Sequence, residues 1–182
     1  MVYVHHISPA RSDKNFGKAI NQLIEHLPEN DWICLRDIDT VPTNHVDFIK
    51  QCEEIANTGE FDLVSCMTNR LGLPYQLVNG IINESMDFAE HMGIGRYLAQ
   101  MYWTEVVKAP NAIAGIMMLF SKKTWLAIGK VPEGGIVLNG AFVDYHICEA
   151  IYRLRLKIGI AKGIYLWHTY RLGLDGQKHL YL

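Results

Sequence analysis

The sequence predicts a three-layer α/β/α domain, with helices on both faces of a mixed, mostly parallel sheet. Three observations carry this. Short apolar runs alternate with amphipathic helical stretches in the order β-α-β-α-β over the first 66 residues, the signature of parallel strands joined by crossover helices. The run Trp32-Ile33-Cys34-Leu35 is long enough for a buried strand, and it stops abruptly at Asp37-Ile38-Asp39-Thr40-Val41-Pro42. A proline cannot continue a central strand, so both carboxylates fall where the strand ends. The chain has 182 residues, is 49% hydrophobic and 20% charged, and shows no repeat or linker, so residues 1–182 read as one domain.

The elements follow in order. Val2 to Ile7 is a β-rich run. Phe16, Ala19, Ile20, Leu23, Ile24 and Leu27 then recur at the spacing of one helical face, with Asp13 or Asn15 as the cap and Pro28 as the close. After the acidic turn, Thr43 or Asn44 caps a second helix that faces inward with Val46, Ile49, Cys52, Ile55 and Ala56, and Gly59 ends it. Phe61 to Cys66 is the next strand. Residues 67–111 lose periodicity and read as a variable insert of irregular loops and short helices over the sheet edge, the stretch where specificity would lie. Ala112 to Phe120 is a second buried strand, Ser121 caps a short helix, and residues 129–140 form a glycine-rich loop. A helix begins near Asp144 with the stripe Val143, Ile147, Ala150, Ile151, Leu154 and Ile158. Ile160 to Trp167 is the last strand, closing at His168, and residues 169–182 form a polar tail.

Composition excludes several classes. The formal charge is −2 with no run of like charges, which argues against nucleic-acid binding by bulk electrostatics. No apolar run reaches membrane-spanning length, so any membrane contact is peripheral. Met1 leads straight into Val2-Tyr3-Val4 with no signal peptide. Cys34, Cys52, Cys66 and Cys148 lack C-x-x-C spacing and sit in apolar contexts. These features predict a reduced, cytoplasmic protein.

Chemistry concentrates at three places: Asp37-x-Asp39 at one strand end, Asp144 at a helix start and His168 at another strand end. In open α/β sheets ligands bind at the carboxyl ends of strands. Paired carboxylates there suit a hard cation and the phosphates it carries. Each residue also has a plainer reading: an acidic turn, a helix cap, a structural histidine.

In order and context these segments resemble the GT-A fold glycosyltransferases, particularly the family 2 type. The matching stretches are Trp32 through Asp39 for the D-x-D strand and Ala114-Gly115 through Ser121, then a tryptophan and Ile128-Gly129, for a glycine-led strand. Val143-Asp144 onward matches the helix that carries an acidic pair, and Trp167-His168 the closing histidine. The resemblance implies a sugar moved from a nucleotide-sugar donor, UDP- or GDP-linked, to a glycan or other hydroxyl acceptor, with inversion at the transferred carbon. Mn²⁺ or Mg²⁺ would sit on Asp37, Asp39 and His168, the imidazole favouring Mn²⁺. Arg36 and Lys18 would face the nucleotide, and Asp144 would be the general base. Gly115, Tyr102 and Trp103 would line the acceptor side, and residues 129–140 would form a lid. Members of such families usually begin with a further base-binding strand, helix and strand. Here Val2 to Ile7 would double for that part. Two other classes share these features: a glycosyltransferase-like binding protein without turnover, and another metal-dependent nucleotide-handling transferase.

Overall fold

The structure is a computed structural model that describes residues 2–8, 15–135, 137–138 and 141–169, the side chains of 137–138 excepted. Asp13, the far part of the predicted lid and the tail beyond Thr169 lie outside the described residues. Seven strands form one open sheet: β1 (Val4–Ile7), β2 (Trp32–Arg36), β3 (Thr40–Pro42), β4 (Leu63–Thr68), β5 (Val106–Lys108), β6 (Met117–Ser121) and, as the last strand in the chain, β9 (Ile158–His168). The short strands β7 (Val137–Leu138) and β8 (Ala141–Phe142) pair with each other. The sheet order is β1-β2-β6-β4-β9-β3, with β5 beside the first half of β9.

The predicted α/β class holds, and the sheet is mixed. β1 pairs parallel with β2, and β4 with β9. β6 enters antiparallel between β2 and β4, and β3 and β5 run antiparallel to β9. Crossover order alone predicted more parallel pairing, because β2 and β4 do run the same way. What separates them is a strand that arrives some fifty residues later in the sequence.

Side chains alternate across this sheet with the period of two that a pleated strand imposes. Ile33, Leu35, Leu63, Met118 and Phe120 face one core with Ile20 and Ile24 of α1 (Phe16–Glu25), Trp125 of α4 (Lys122–Ala127) and Ile147 and Ile151 of α5 (Val143–Arg153). Trp32, Cys34, Val64, Met117 and Leu119 face the other, with Phe48, Cys52 and Ile55 of α2 (His45–Thr58). All four cysteines are buried and free.

Caps set the helix boundaries. Asn15 accepts from the Lys18 N–H, Asn44 from Asp47, and Ser121 from Thr124, each satisfying a first-turn donor. Gly59 closes α2 at φ 59°, a left-handed conformation that glycine adopts without steric cost. Two predicted helix faces are shifted. Leu23 and Val46 are exposed, and Asn21 and Gln51 take buried places instead. Asn21 bonds the Trp125 indole and both polar groups of the Val131 backbone. Gln51 bonds the carbonyls of Trp103 and Gly163.

The largest departure from expectation is α3 (Phe88–Tyr102), a fifteen-residue helix inside the stretch that reads as irregular. Its buried residues, His91, Gly95, Leu98 and Ala99, do follow helical spacing, but only two of the four are apolar. The Thr43 hydroxyl lies 1.9 Å from where a Cβ on Gly95 would stand, so glycine is required there for packing. The helix packs along β9, with His91 stacked on Trp167 at 5.3 Å between ring centres.

Candidate functional site

Asp37, Asp39 and His168 meet at one edge of the sheet. Asp37 follows β2 and Asp39 precedes β3; β3 then pairs with β9 so that Thr40 stands opposite His168. The turn between the two aspartates is held from inside. The Thr40 N–H and hydroxyl both donate to the Asp37 carbonyl, at 3.2 and 2.7 Å. The Arg36 guanidinium donates to the Thr40 carbonyl at 2.5 Å. From the other side, the Thr169 N–H and hydroxyl each donate to the Asp39 carbonyl at 2.8 Å. The three side chains offer one ligand atom each, all within 4.8 Å of one another.

The His168 ring is oriented for this. Its Nδ1 donates to the Arg70 carbonyl at 3.2 Å, which turns Nε2 toward Asp39 Oδ2, 3.3 Å away. A backbone carbonyl behind a ring nitrogen is the usual way a histidine ligand is fixed in its tautomer. Buried Asn69 secures the strand end, its Oδ1 accepting from the His168 N–H at 2.7 Å and its Nδ2 donating to the Asn83 carbonyl. Two carboxylate oxygens and an imidazole nitrogen at this separation fit a divalent cation of the Mn²⁺ or Mg²⁺ kind.

The charges are crowded without such a cation. Burial pushes the Asp37 carboxyl up to about 6; Asp39 and Asp144 add to the rise and His168 opposes it. At His168 burial lowers the pKa, but the hydrogen bond and charge of Asp39 outweigh it and leave the imidazole above its usual value.

Asp144 stands in the first turn of α5, on the same edge. One carboxylate oxygen accepts the Gly115 N–H and the other its neighbour Tyr145's N–H, both at 2.8 Å. A Cβ at Gly115 would lie 2.9 Å from that of Asp144, so the glycine permits this close approach. Asp144 borders an open pocket of about 340 Å³ whose wall includes Leu73, Tyr75, Ala112, Ala114 and Tyr145.

Not every predicted site residue comes here. Tyr102 and Trp103 end α3 well down β9. The Trp103 indole donates to Glu54 at 2.5 Å and Lys50 lies over its ring; Lys162 stands over Tyr102. Their partners are the scaffold of α2 and β9. Lys18 lies in the first turn of α1, and no hydrogen bond or ion pair among the described residues ties its ammonium to the cluster. Arg36, expected to face the nucleotide, braces the acidic turn instead by donating to the Thr40 carbonyl. The described part of the predicted lid is fastened to α1: Gly17 donates to Gly134, Gly134 to Asn15, and Lys130 pairs with Glu25.

The residue that sequence reasoning missed is Gln76. It is fully buried. Its carbonyl accepts the Ala114 N–H at 2.8 Å, and its amide donates to Ser65 Oγ and the Cys66 carbonyl. It thereby fixes the segment that presents Gly115 to Asp144. The available signal was a lone amide within Leu73-Pro74-Tyr75-Gln76-Leu77-Val78.

Together these features define an α/β protein with a carboxylate–imidazole cluster and a separately held carboxylate on one edge of a mixed sheet. No protein-family model matches the chain, and no curated protein matches it. No described helix is long and apolar enough to cross a membrane.

Proposed function

We propose that this chain is a metal-dependent glycosyltransferase of the GT-A kind, moving a sugar from a UDP- or GDP-sugar to a hydroxyl acceptor with inversion. The observation that carries the reading is the pairing on one edge of a three-ligand cluster, Asp37, Asp39 and His168, with the oriented carboxylate of Asp144.

A divalent cation on the cluster would neutralise charge on the nucleoside diphosphate as it leaves. Asp144 takes the proton of the acceptor hydroxyl. Each of its oxygens already holds one backbone N–H and retains a lone pair for this. The acceptor oxygen bonds to the anomeric carbon as the bond from that carbon to the diphosphate breaks, and the electron pair departs with the diphosphate. Parallel pairing of Ile7 with Leu35 brings the end of β1 to the same edge, which supports β1 as the strand nearest the nucleotide base.

The test is nucleotide binding and transfer with Mn²⁺. Thermal unfolding is followed with UDP, GDP and their sugars, with and without metal, on the native protein and Asp39→Ala, and products are read by mass. Ligand at a hundred times its Kd adds about 2.7 kcal/mol, or about 5–10 °C for a domain of this size. A metal-dependent shift with one nucleotide, lost in Asp39→Ala and accompanied by a glycosylated acceptor, supports the reading. No shift with any nucleotide in the presence of Mn²⁺ overturns it. Products carrying a nucleotide would assign the cluster to nucleotidyl transfer instead.

A further inference from the structure

The pocket beside Asp144 has a chemical character that narrows what it accepts. Its wall is largely loop backbone, which ordinarily presents polar groups to a ligand. Here several of those groups already have partners. The Ala112 carbonyl accepts the Tyr75 hydroxyl. The Ile113 carbonyl faces the Cys148 thiol at 3.8 Å. The Ala114 N–H is bound by Gln76, and its carbonyl lies 3.3 Å from the Ser65 hydroxyl. With its hydroxyl committed, the Tyr75 ring is held as a fixed apolar surface. Tyr145, 53% exposed, stands next to Asp144 at the mouth. The remaining polar side chains of the lining are Asn111 and Asp144 itself.

A bare pyranose would bury its hydroxyls against mostly apolar side chains, and each hydroxyl left without a partner costs about 1–3 kcal/mol. An aryl or alkyl group carries no such cost. The volume, about 340 Å³, falls at the small end of ligand pockets, about 300–1,000 Å³. Among the described residues the only charged lining residue is the Asp144 carboxylate, and Asp37 and Asp39 add negative charge on the same edge. An anionic ligand meets repulsion there.

From these observations we propose that the pocket takes a neutral glycoside with an aryl or alkyl aglycone: the aglycone lies against Tyr75, Ala112 and Ala114, and a sugar hydroxyl reaches Asp144 at the mouth. The assignment of the hydroxyl rests on the function proposed above; the apolar character of the wall does not.

The test reads binding alone, without donor or metal. Affinities of p-nitrophenyl hexosides, methyl hexosides and p-nitrophenyl glucuronide are measured by calorimetry, and the contact is mapped by amide chemical shifts. The p-nitrophenyl hexoside should bind at least about tenfold tighter than the methyl hexoside, with shifts at residues 111–115 and 145. Tyr145→Ala should weaken it. The glucuronide should bind about tenfold more weakly than the neutral ligand and recover in Asp144→Asn. Equal affinity for aryl and methyl glycosides, shifts that map elsewhere, or a glucuronide bound as well as the neutral ligand would each overturn the proposal. Aryl glycoside binding without any transfer would leave the pocket assignment standing and remove the reaction. Metal-dependent nucleotide binding with no glycoside binding would do the reverse.

Discussion

The edge that gathers the candidate site has two halves built on opposite principles. Around Asp37, Asp39 and His168, backbone groups are tightly bonded and the side chains bring two carboxylates together. Two carboxylates and an imidazole share a small volume, and burial holds the Asp37 carboxyl up to about 6. Around Asp144 the wall is largely apolar, several of its backbone polar atoms are bonded, and the carboxylate is held by two N–H groups. A crowded anionic cluster lowers its free energy by taking a cation. A largely apolar wall offers a ligand mainly surface, with Asn111 and Asp144 as its polar side chains. The difference lies in how charge is concentrated, and it makes the two halves respond oppositely to perturbation.

The acceptor half should break hardest. Gln76→Leu removes the partner of the part-buried Ala114 N–H and one of two partners of the buried Ser65 hydroxyl, which keeps its bond to the Ala114 carbonyl. One polar group left unpaired and a second left with a single bond cost about 1–3 kcal/mol, a fall in Tm of about 2–12 °C. Transfer should fall with it, because the Gly115 N–H that orients Asp144 follows Ala114. Metal binding at the other half, measured by calorimetry below the new Tm, should persist. Loss of both together would show that the halves are one cooperative unit.

The cation half should show itself through pH. Asp37 in the folded chain holds its proton more tightly than an ordinary aspartate, so its contribution to stability is full at low pH and is lost as pH rises toward and through about 6. His168, also raised, contributes in the same direction: the imidazolium paired with Asp39 stabilises the fold, and this is lost as pH rises through its folded pKa. Both slopes have the sign of a folded state that binds more protons than the unfolded one. The metal-free protein should therefore lose Tm as pH rises from about 4 through about 6, where Asp37 titrates, and further as His168 loses its proton above the ordinary imidazole range. Mn²⁺ competes with the same protons, so its stabilising shift should be small at pH 5 and large at pH 8. Asp37→Asn should flatten the metal-free slope and abolish most of the Mn²⁺ shift. A Mn²⁺ shift independent of pH would place the ion elsewhere.

How much of this the sequence carried depends on the type of element. Strands β2, β4, β6 and β9 were legible because each is a buried apolar run bounded by turn residues, and the acidic turn, Asp144 and His168 stood out at their ends. Strand direction is not written in such runs, so the antiparallel entry of β6 was not readable. α3 stayed hidden because two of its inward positions are a histidine satisfied by Tyr165 and the Ser85 carbonyl and a glycine that makes room for Thr43. Meanwhile Tyr97 and Met101 face solvent, which erases the contrast that periodicity needs. Gln76 was illegible for a related reason: an amide that serves the core through hydrogen bonds looks, in sequence, like a surface residue.

The same lesson applies to Trp103, which sequence reading placed on the acceptor side. An aromatic pair in an aperiodic stretch suggests stacking on a sugar, yet the indole N–H is bound to Glu54 and the Trp103 carbonyl to Gln51. Lys50 lies over the ring at 5.4 Å from its centre. Those contacts join α3 to α2, five residues down β9 from His168 at the level of Gly163. Trp103→Phe keeps an aromatic ring but removes the indole N–H that binds Glu54 and part of the ring surface under Lys50. It should cost about 1 kcal/mol, a fall of about 2–4 °C in Tm, with aryl glycoside affinity unchanged. Tyr145→Ala should do the opposite, weakening the glycoside and leaving Tm nearly where it was, since its side chain is half in solvent. If instead Trp103→Phe weakened the glycoside and Tyr145→Ala did not, the acceptor would lie along α3, and the pocket beside Asp144 would belong to something else.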